Sequence, residues 1–205
     1  MNPAATSFVL GYHGCDRSVA DDVLGGGVTL KPSDNDYDWL DDGVYFWEHN
    51  PERAYRFALD VSRRPHNDRQ RIVKPAVVGA IIELRRCVNL LDATGIVAVA
   101  DAYQQLTKGV DATGLPLPKS IGGSDRLRRY LDCAVIRELH RARAEAGDPP
   151  IQTLRAAFVE GSPLYPDAGF NARMHIQLCV RDLACVRGYF RPLGENGRPL
   201  TFDEI

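Results

Sequence analysis

Three short segments carry residue types able to bind or transform a small polar ligand. The first is Gly11-Tyr12-His13-Gly14-Cys15, which closes an apolar, strand-like run. A histidine followed by glycine at a strand end leaves backbone groups open, because glycine has no Cβ to block close approach. A lone histidine there is more often a hydrogen-bonded structural residue. The second is Gly43-Val44-Tyr45-Phe46-Trp47 followed by Asn50-Pro51 and Ala54-Tyr55-Arg56-Phe57-Ala58, with five aromatics in the 13 residues 45–57. Aromatics at that density form core or offer faces on which a planar ring stacks. The third is Met174 to Asp182. Ile176, Leu178 and Val180 alternate with His175, Gln177, Cys179 and Arg181, so a strand here has one face in the core and the other polar.

Other chemistry is excluded by spacing. The acidic run Asp34 to Asp42 begins like a calcium loop, but Trp39 stands at its sixth position and Tyr45 at its twelfth, where glycine and glutamate are required. No Cys-x-x-Cys pair or zinc spacing occurs, so no metal is expected. Gly25-Gly26-Gly27 lacks the Lys-Ser/Thr of a phosphate loop, and no Gly-x-Ser-x-Gly elbow is present. Arg126, Arg128, Arg129, Arg137, Arg141 and Arg143 form either a solvated face or a docking surface for an acidic partner.

The elements that must position these segments read as α+β. A first strand ends at Gly14, and Asp16 caps a helix that stops at the triple glycine. Val44–Trp47 is a brief strand, and Asn50-Pro51 opens a helix to about Val61. Val77–Leu84 is dense in β-branched residues and reads as a strand. Helices follow at about 96–106 and from Ser124 to Glu145, the second with an apolar stripe of Leu127, Leu131, Val135 and Leu139, separated by a Pro/Gly loop over 109–123. Three strands close the chain at 153–159, 175–180 and 185–190. The 205 residues suit one domain over 1–205, with a helical insertion at about 93–147.

Lys+Arg 25 against Asp+Glu 27 gives a net charge of −2, which argues against a sequence-blind grip on nucleic acid. No apolar run has the length of a membrane span. Met1 to Ser7 lacks the basic and apolar regions of a secretory signal, and the five scattered cysteines fit a reducing compartment, so cytoplasmic placement is expected.

Taken in order, the three segments resemble the ADP-ribosyltransferase superfamily, in its diphtheria-toxin and poly(ADP-ribose) polymerase branch. Tyr12-His13-Gly14 is similar to that family's first motif, and Gly43-Val44-Tyr45-Phe46 with the Ala54-Tyr55 helix to its second. The third is a late strand headed by a glutamate, and counting back from Asp182–Val186 puts Gln177 at that place. The resemblance covers about residues 8–60 and 155–192. It implies a split antiparallel sheet with flanking helices that binds NAD as a substrate in a cleft. His13 would hold the adenosine ribose and the Gly14 backbone the nicotinamide amide. Tyr45 would line the nicotinamide pocket, and Tyr55 or Phe57 would stack on the ring, although the family's spacing falls nearest Arg56. On this reading His13, Tyr45 and Gln177 converge on one crevice.

Cleaving the nicotinamide–ribose bond builds positive charge on the ribose, which a carboxylate stabilises. General-base help is worth roughly 10²–10⁴ in rate, or about 3–5 kcal/mol. Gln177 can hydrogen-bond a ribose hydroxyl but carries no charge and takes no proton. Glu160, on the loop before the late strand, is the candidate substitute, with Glu48 a second and the alternative that Glu160 is a solvated turn acid. The resemblance thus implies an intracellular toxin that transfers ADP-ribose to a macromolecular acceptor, with a cognate antitoxin as partner. The alternatives are an NAD glycohydrolase, a catalytically silent NAD-binding module of the same fold, and an unrelated α+β domain whose aromatics are all core.

Overall fold

Asp16 both ends the first strand and starts the first helix. Its carboxylate accepts the Ser18 N–H at 3.0 Å, and on its other side the Val73 and Lys74 N–H groups at 2.7 and 2.9 Å. The computed structural model describes residues 8–64, 72–114, 116–123, 127–194, 196–200 and 202. The strands are β1 (Phe8–Asp16), β2 (Val44–Glu48), β3 (Pro75–Glu83), β4 (Cys87–Asn89), β5 (Thr153–Phe158), β6 (His175–Val180) and β7 (Val186–Phe190). The helices are α1 (Arg17–Leu24), α2 (Pro51–Ser62), α3 (Ala93–Thr113) and α4 (Tyr130–Glu145).

The fold is α+β. Seven strands form one mixed sheet in the order β4-β5-β6-β2-β1-β3-β7, with β4–β5 parallel and every other pair antiparallel. Residues directly opposed in a ladder share a face, and alternate residues point away from each other. The registers therefore assign every central side chain to a face. On one face Val44, Phe46, Val78, Ile82, Leu178 and Val180 pack with Ala20 and Val23 of α1 and with Leu30. The other face has two halves. Helix α2 covers the β1–β3 half through Ala54, with Trp47 and Val77 in the same cluster. Helices α3 and α4 cover Leu154, Ala156, Phe158 and Cys179 with Ala102, Val135, Ile136 and Leu139.

Two helix boundaries differ from the sequence expectation. Helix α3 runs past Gly109, read as loop, to Thr113, and ends at Gly114 with φ 70° and an N–H bond to Val110. One helix glycine costs only about 1 kcal/mol, which the flanking helix formers offset. Helix α4 starts at Tyr130, because Ile121 and Arg128 exchange backbone bonds at 2.9 and 2.8 Å and so commit Arg128 to a β-bridge. Leu127 of the expected stripe thus lies outside the helix and is exposed, whereas Val135 and Leu139 are buried. Ser124, the expected cap, and Arg126 lie outside the described residues. The remaining arginines of that stretch have partners: Arg137 reaches Asp41 at 2.7 Å, Arg141 reaches Glu138 and Glu145, Arg143 reaches Asp148 at 3.3 Å, Arg129 lies 4.1 Å over the Trp39 ring, and Arg128 lies 5.7 Å over the Tyr37 ring.

Candidate functional site

The middle of the sheet contains a gap. β1 pairs with β3 over nine residues, but with β2 only through Gly11↔Glu48 and Tyr12↔Trp47, extended by the His49 N–H to the Leu10 carbonyl at 2.9 Å. Beyond Tyr12 the two strands part. The His13 imidazole enters the resulting wedge, and its Nδ1–H donates to the Tyr45 carbonyl at 2.8 Å. A side chain thus replaces a rung of the ladder. The bond fixes the proton on Nδ1, so the neutral ring presents a lone pair at Nε2. Burial holds the His13 pKa below its ordinary value, against the raising effect of the Tyr45 carbonyl, which keeps that acceptor available at neutral pH.

A second group of polar side chains lies on the face that α2 shares with α3 and α4. Gln177 lies opposite Trp47 in the β2–β6 register and opposite Ala156 in the β5–β6 register. Next along β6, His175 lies opposite Phe158. The Asn50 Oδ1 caps α2 by accepting the Arg53 N–H at 2.9 Å, which sets the start of the helix beside this strip. The Arg53 guanidinium lies 5.6 Å over Trp47 and reaches Glu160 at 2.7 Å. That ion pair ties α2 to the β5–β6 connection, and both side chains are largely buried, at 14% and 9% exposure. His175 packs 6.3 Å from Trp47 and 5.7 Å from Phe158. Three polar atoms in this group, Trp47 Nε1, Arg53 Nε and His175 Nε2, are buried without a hydrogen-bond partner among the described residues. A buried polar atom left unmet costs about 1–3 kcal/mol, so this group is a place where a water or ligand atom would be held favourably.

The expected convergence of side chains is corrected by the registers. His13 packs on Phe46, at 5.8 Å, on the α1 face, whereas Tyr45 and Gln177 point to the opposite face. The wedge joins them only through the backbone of Tyr45. The Tyr45 ring lies in the α3–α4 core, and its hydroxyl accepts the Leu40 N–H at 2.9 Å and donates to the Asp41 carbonyl at 2.7 Å. It therefore fixes the Asp34–Asp42 loop, where Asp41 sits buried between Arg137 and Arg181. At Gly14, the space of the missing Cβ is filled by α2, since a Cβ would stand 2.0 Å from the Ala54 carbonyl oxygen. The glycine serves helix packing on that side. Tyr55 stacks on Phe202 at 4.3 Å, and Phe57 packs directly on the Trp47 ring at 4.9 Å; both lie against the cluster of Trp47, Ala54 and Val77. Glu48 is held by Arg155 through two bonds of 2.6 and 2.7 Å on the His13 face.

Glu160 is no solvated turn acid, being 7% exposed. The polar face of β6 is solvated only in part: His175 is buried and Cys179 is fully buried under the α3–α4 layer, while Gln177 and Arg181 are half-buried. Sequence reasoning assigned no role to Trp47, Arg53 or His175. The available signals were the Asn50-Pro51 cap, which places Arg53 in the first turn of α2, and the two-residue spacing of His175 from Gln177.

A separate groove of about 650 Å³ runs between α3 and α4 over β5, lined by Trp39, Ile96, Tyr103, Arg129, Val135 and Phe158 among others. Among the described residues no group of three or more His, Cys, Asp or Glu side chains is placed to hold a metal, and no helix is long and apolar enough to cross a membrane. No family model matches the chain, and no curated protein or solved structure matches it either.

Proposed function

We propose that the chain binds NAD in the wedge between β1 and β2 and cleaves its nicotinamide–ribose bond, passing ADP-ribose to an acceptor hydroxyl of a macromolecule or of water. On this reading the sheet is the split sheet of an ADP-ribosyltransferase. The observation that carries it is the His13 contact to the Tyr45 carbonyl at the point where the ladder opens. His13 lies on one face and Gln177 with Glu160 on the other, so on this reading the dinucleotide is held across the place where β1 and β2 part. The adjacency of the strands bearing the three motifs, β6-β2-β1, supports the same assignment.

In this arrangement His13 Nε2 accepts from a ribose hydroxyl, and the Gln177 amide bonds the ribose near the reacting carbon. Glu160 supplies the negative charge that Gln177 lacks, and Arg53 holds it in place. As positive charge grows on the ribose, a carboxylate fixed in a site shielded from water stabilises it more than water does.

Gln177 favours a second reading, in which the same pocket binds NAD without turning it over. Incubation with NAD and measurement of free nicotinamide separates the two. The enzyme reading predicts release by the wild type and loss of release in Glu160→Ala. Binding without release, with release switched on by Gln177→Glu, establishes the silent module instead.

A further inference from the structure

We propose that His175 is the general base of the transfer step, accepting at Nε2 the proton of the attacking hydroxyl; this rests on the NAD reading above. His175 and Gln177 are two residues apart on one face of β6, a separation of about 7 Å along the strand. The His175 Nδ1–H donates to the Arg173 carbonyl at 2.7 Å, which fixes the ring tautomer and leaves the lone pair on Nε2. That nitrogen is buried and has no partner among the described residues, as is true of Trp47 Nε1 and Arg53 Nε; the Trp47 ring lies 6.3 Å from the imidazole and under the Arg53 guanidinium.

The other groups near the strip are unsuited to the task. The Gln177 amide has no basic lone pair to offer. A proton taken by Glu160 would break its 2.7 Å bridge to Arg53 in a buried setting. His13 lies on the opposite face, with its ring committed to the wedge. The charged groups facing His175 are Arg53 from α2 and Glu160 from the β5–β6 connection, while β2 and β5 present the uncharged Trp47 and Phe158. Burial foremost, and Arg53, hold the His175 pKa below its ordinary value against the Arg173 carbonyl and Glu160, which keeps the ring unprotonated and ready to accept. Once protonated, the imidazolium stands near the Glu160 carboxylate.

The step balances without a further reagent. The bond from the ribose carbon to the nicotinamide nitrogen breaks with its electron pair going to that nitrogen, releasing neutral nicotinamide. The acceptor oxygen bonds the ribose carbon, and its proton moves to His175 Nε2 and thence to water.

The test uses NAD with water as acceptor, and compares wild type with His175→Gln and His175→Phe across the acid to neutral range. The proposal expects a roughly 10²–10⁴-fold fall in kcat in both variants with KM for NAD little changed. It also expects an acid limb in the wild-type profile that the variants lack. Variants within about threefold of wild type, with the same profile, overturn it. If the variants melt before assay, the wild-type acid limb is compared with the His175 imidazole titration followed by nuclear magnetic resonance. Coincidence supports the proposal and a mismatch overturns it. A wild type that releases no nicotinamide overturns the NAD reading and this step together, whereas an active wild type insensitive to His175 overturns the base alone.

Discussion

The His13 imidazole and the Tyr45 carbonyl oxygen meet at 2.8 Å in the gap where β1 and β2 part. Replacing His13 by alanine leaves that carbonyl without its donor, at an expected cost of about 1–3 kcal/mol. The same change removes the Nε2 acceptor assigned to the ribose. Urea unfolding should show the loss of stability, and calorimetric titration with NAD should show no binding by His13→Ala under conditions where the folded fraction is high. Unchanged NAD affinity would remove His13 from the site.

The Arg53–Glu160 bridge joins α2 to the β5–β6 connection inside the structure. Removing one partner strands the other charge, so Arg53→Ala and Glu160→Ala are each expected to cost about 3–5 kcal/mol. The double variant should be less destabilised than the two losses added together. Chemical denaturation of the four proteins checks this, and strict additivity would mean that the bridge contributes nothing to coupling the two elements.

Gly14→Ala places a Cβ where it would stand 2.0 Å from the Ala54 carbonyl oxygen, part of the helix backbone. Helix α2 must move away from β1, and over-packing of this kind costs about 1–3 kcal/mol or more. A lowered melting temperature together with increased hydrogen exchange across Pro51–Ser62 is the expected outcome.

These residues also show what was legible in the sequence. Asp16 and Asn50 announced α1 and α2, because a capping side chain and the first turn it serves are neighbours in the chain. The β-branched run of β3 and the alternation in β6 were equally local signals. Faces could be assigned within a strand but not between strands. Nothing local states that Trp47 opposes Gln177, or that β1 leaves β2 after Tyr12. The opposition of His13 to Tyr45 and Gln177 follows from those registers and was hidden for that reason. Glu160 read as a loop acid because its partner, Arg53, is 107 residues away. The three-residue strand β4 was missed because its pairing with β5 is parallel and spans the two long helices.

Histidines give the stability a pH dependence of definite sign. His140 is pushed from 6.5 down to about 4 by burial and by Arg181, and the pKa values of His13 and His175 are lowered as well, chiefly by burial. The unfolded chain therefore takes up protons first as the pH falls below about 6.5. The stabilisation is complete above that value and is lost as the pH drops toward about 4, where the folded His140 also protonates. Melting temperatures should decline through this window, and His140→Leu should flatten the decline. An unchanged slope in the variant would show that His140 is not titrating there.

The most direct measurement is a crystal structure of the chain soaked or co-crystallised with a non-hydrolysable NAD analogue. The account predicts dinucleotide density in the wedge between β1 and β2, with His13 Nε2 within hydrogen-bond distance of a ribose hydroxyl and the reactive ribose carbon beside Gln177 and Glu160. Density elsewhere, for example in the apolar groove between α3 and α4, or an empty wedge at saturating analogue, would contradict it.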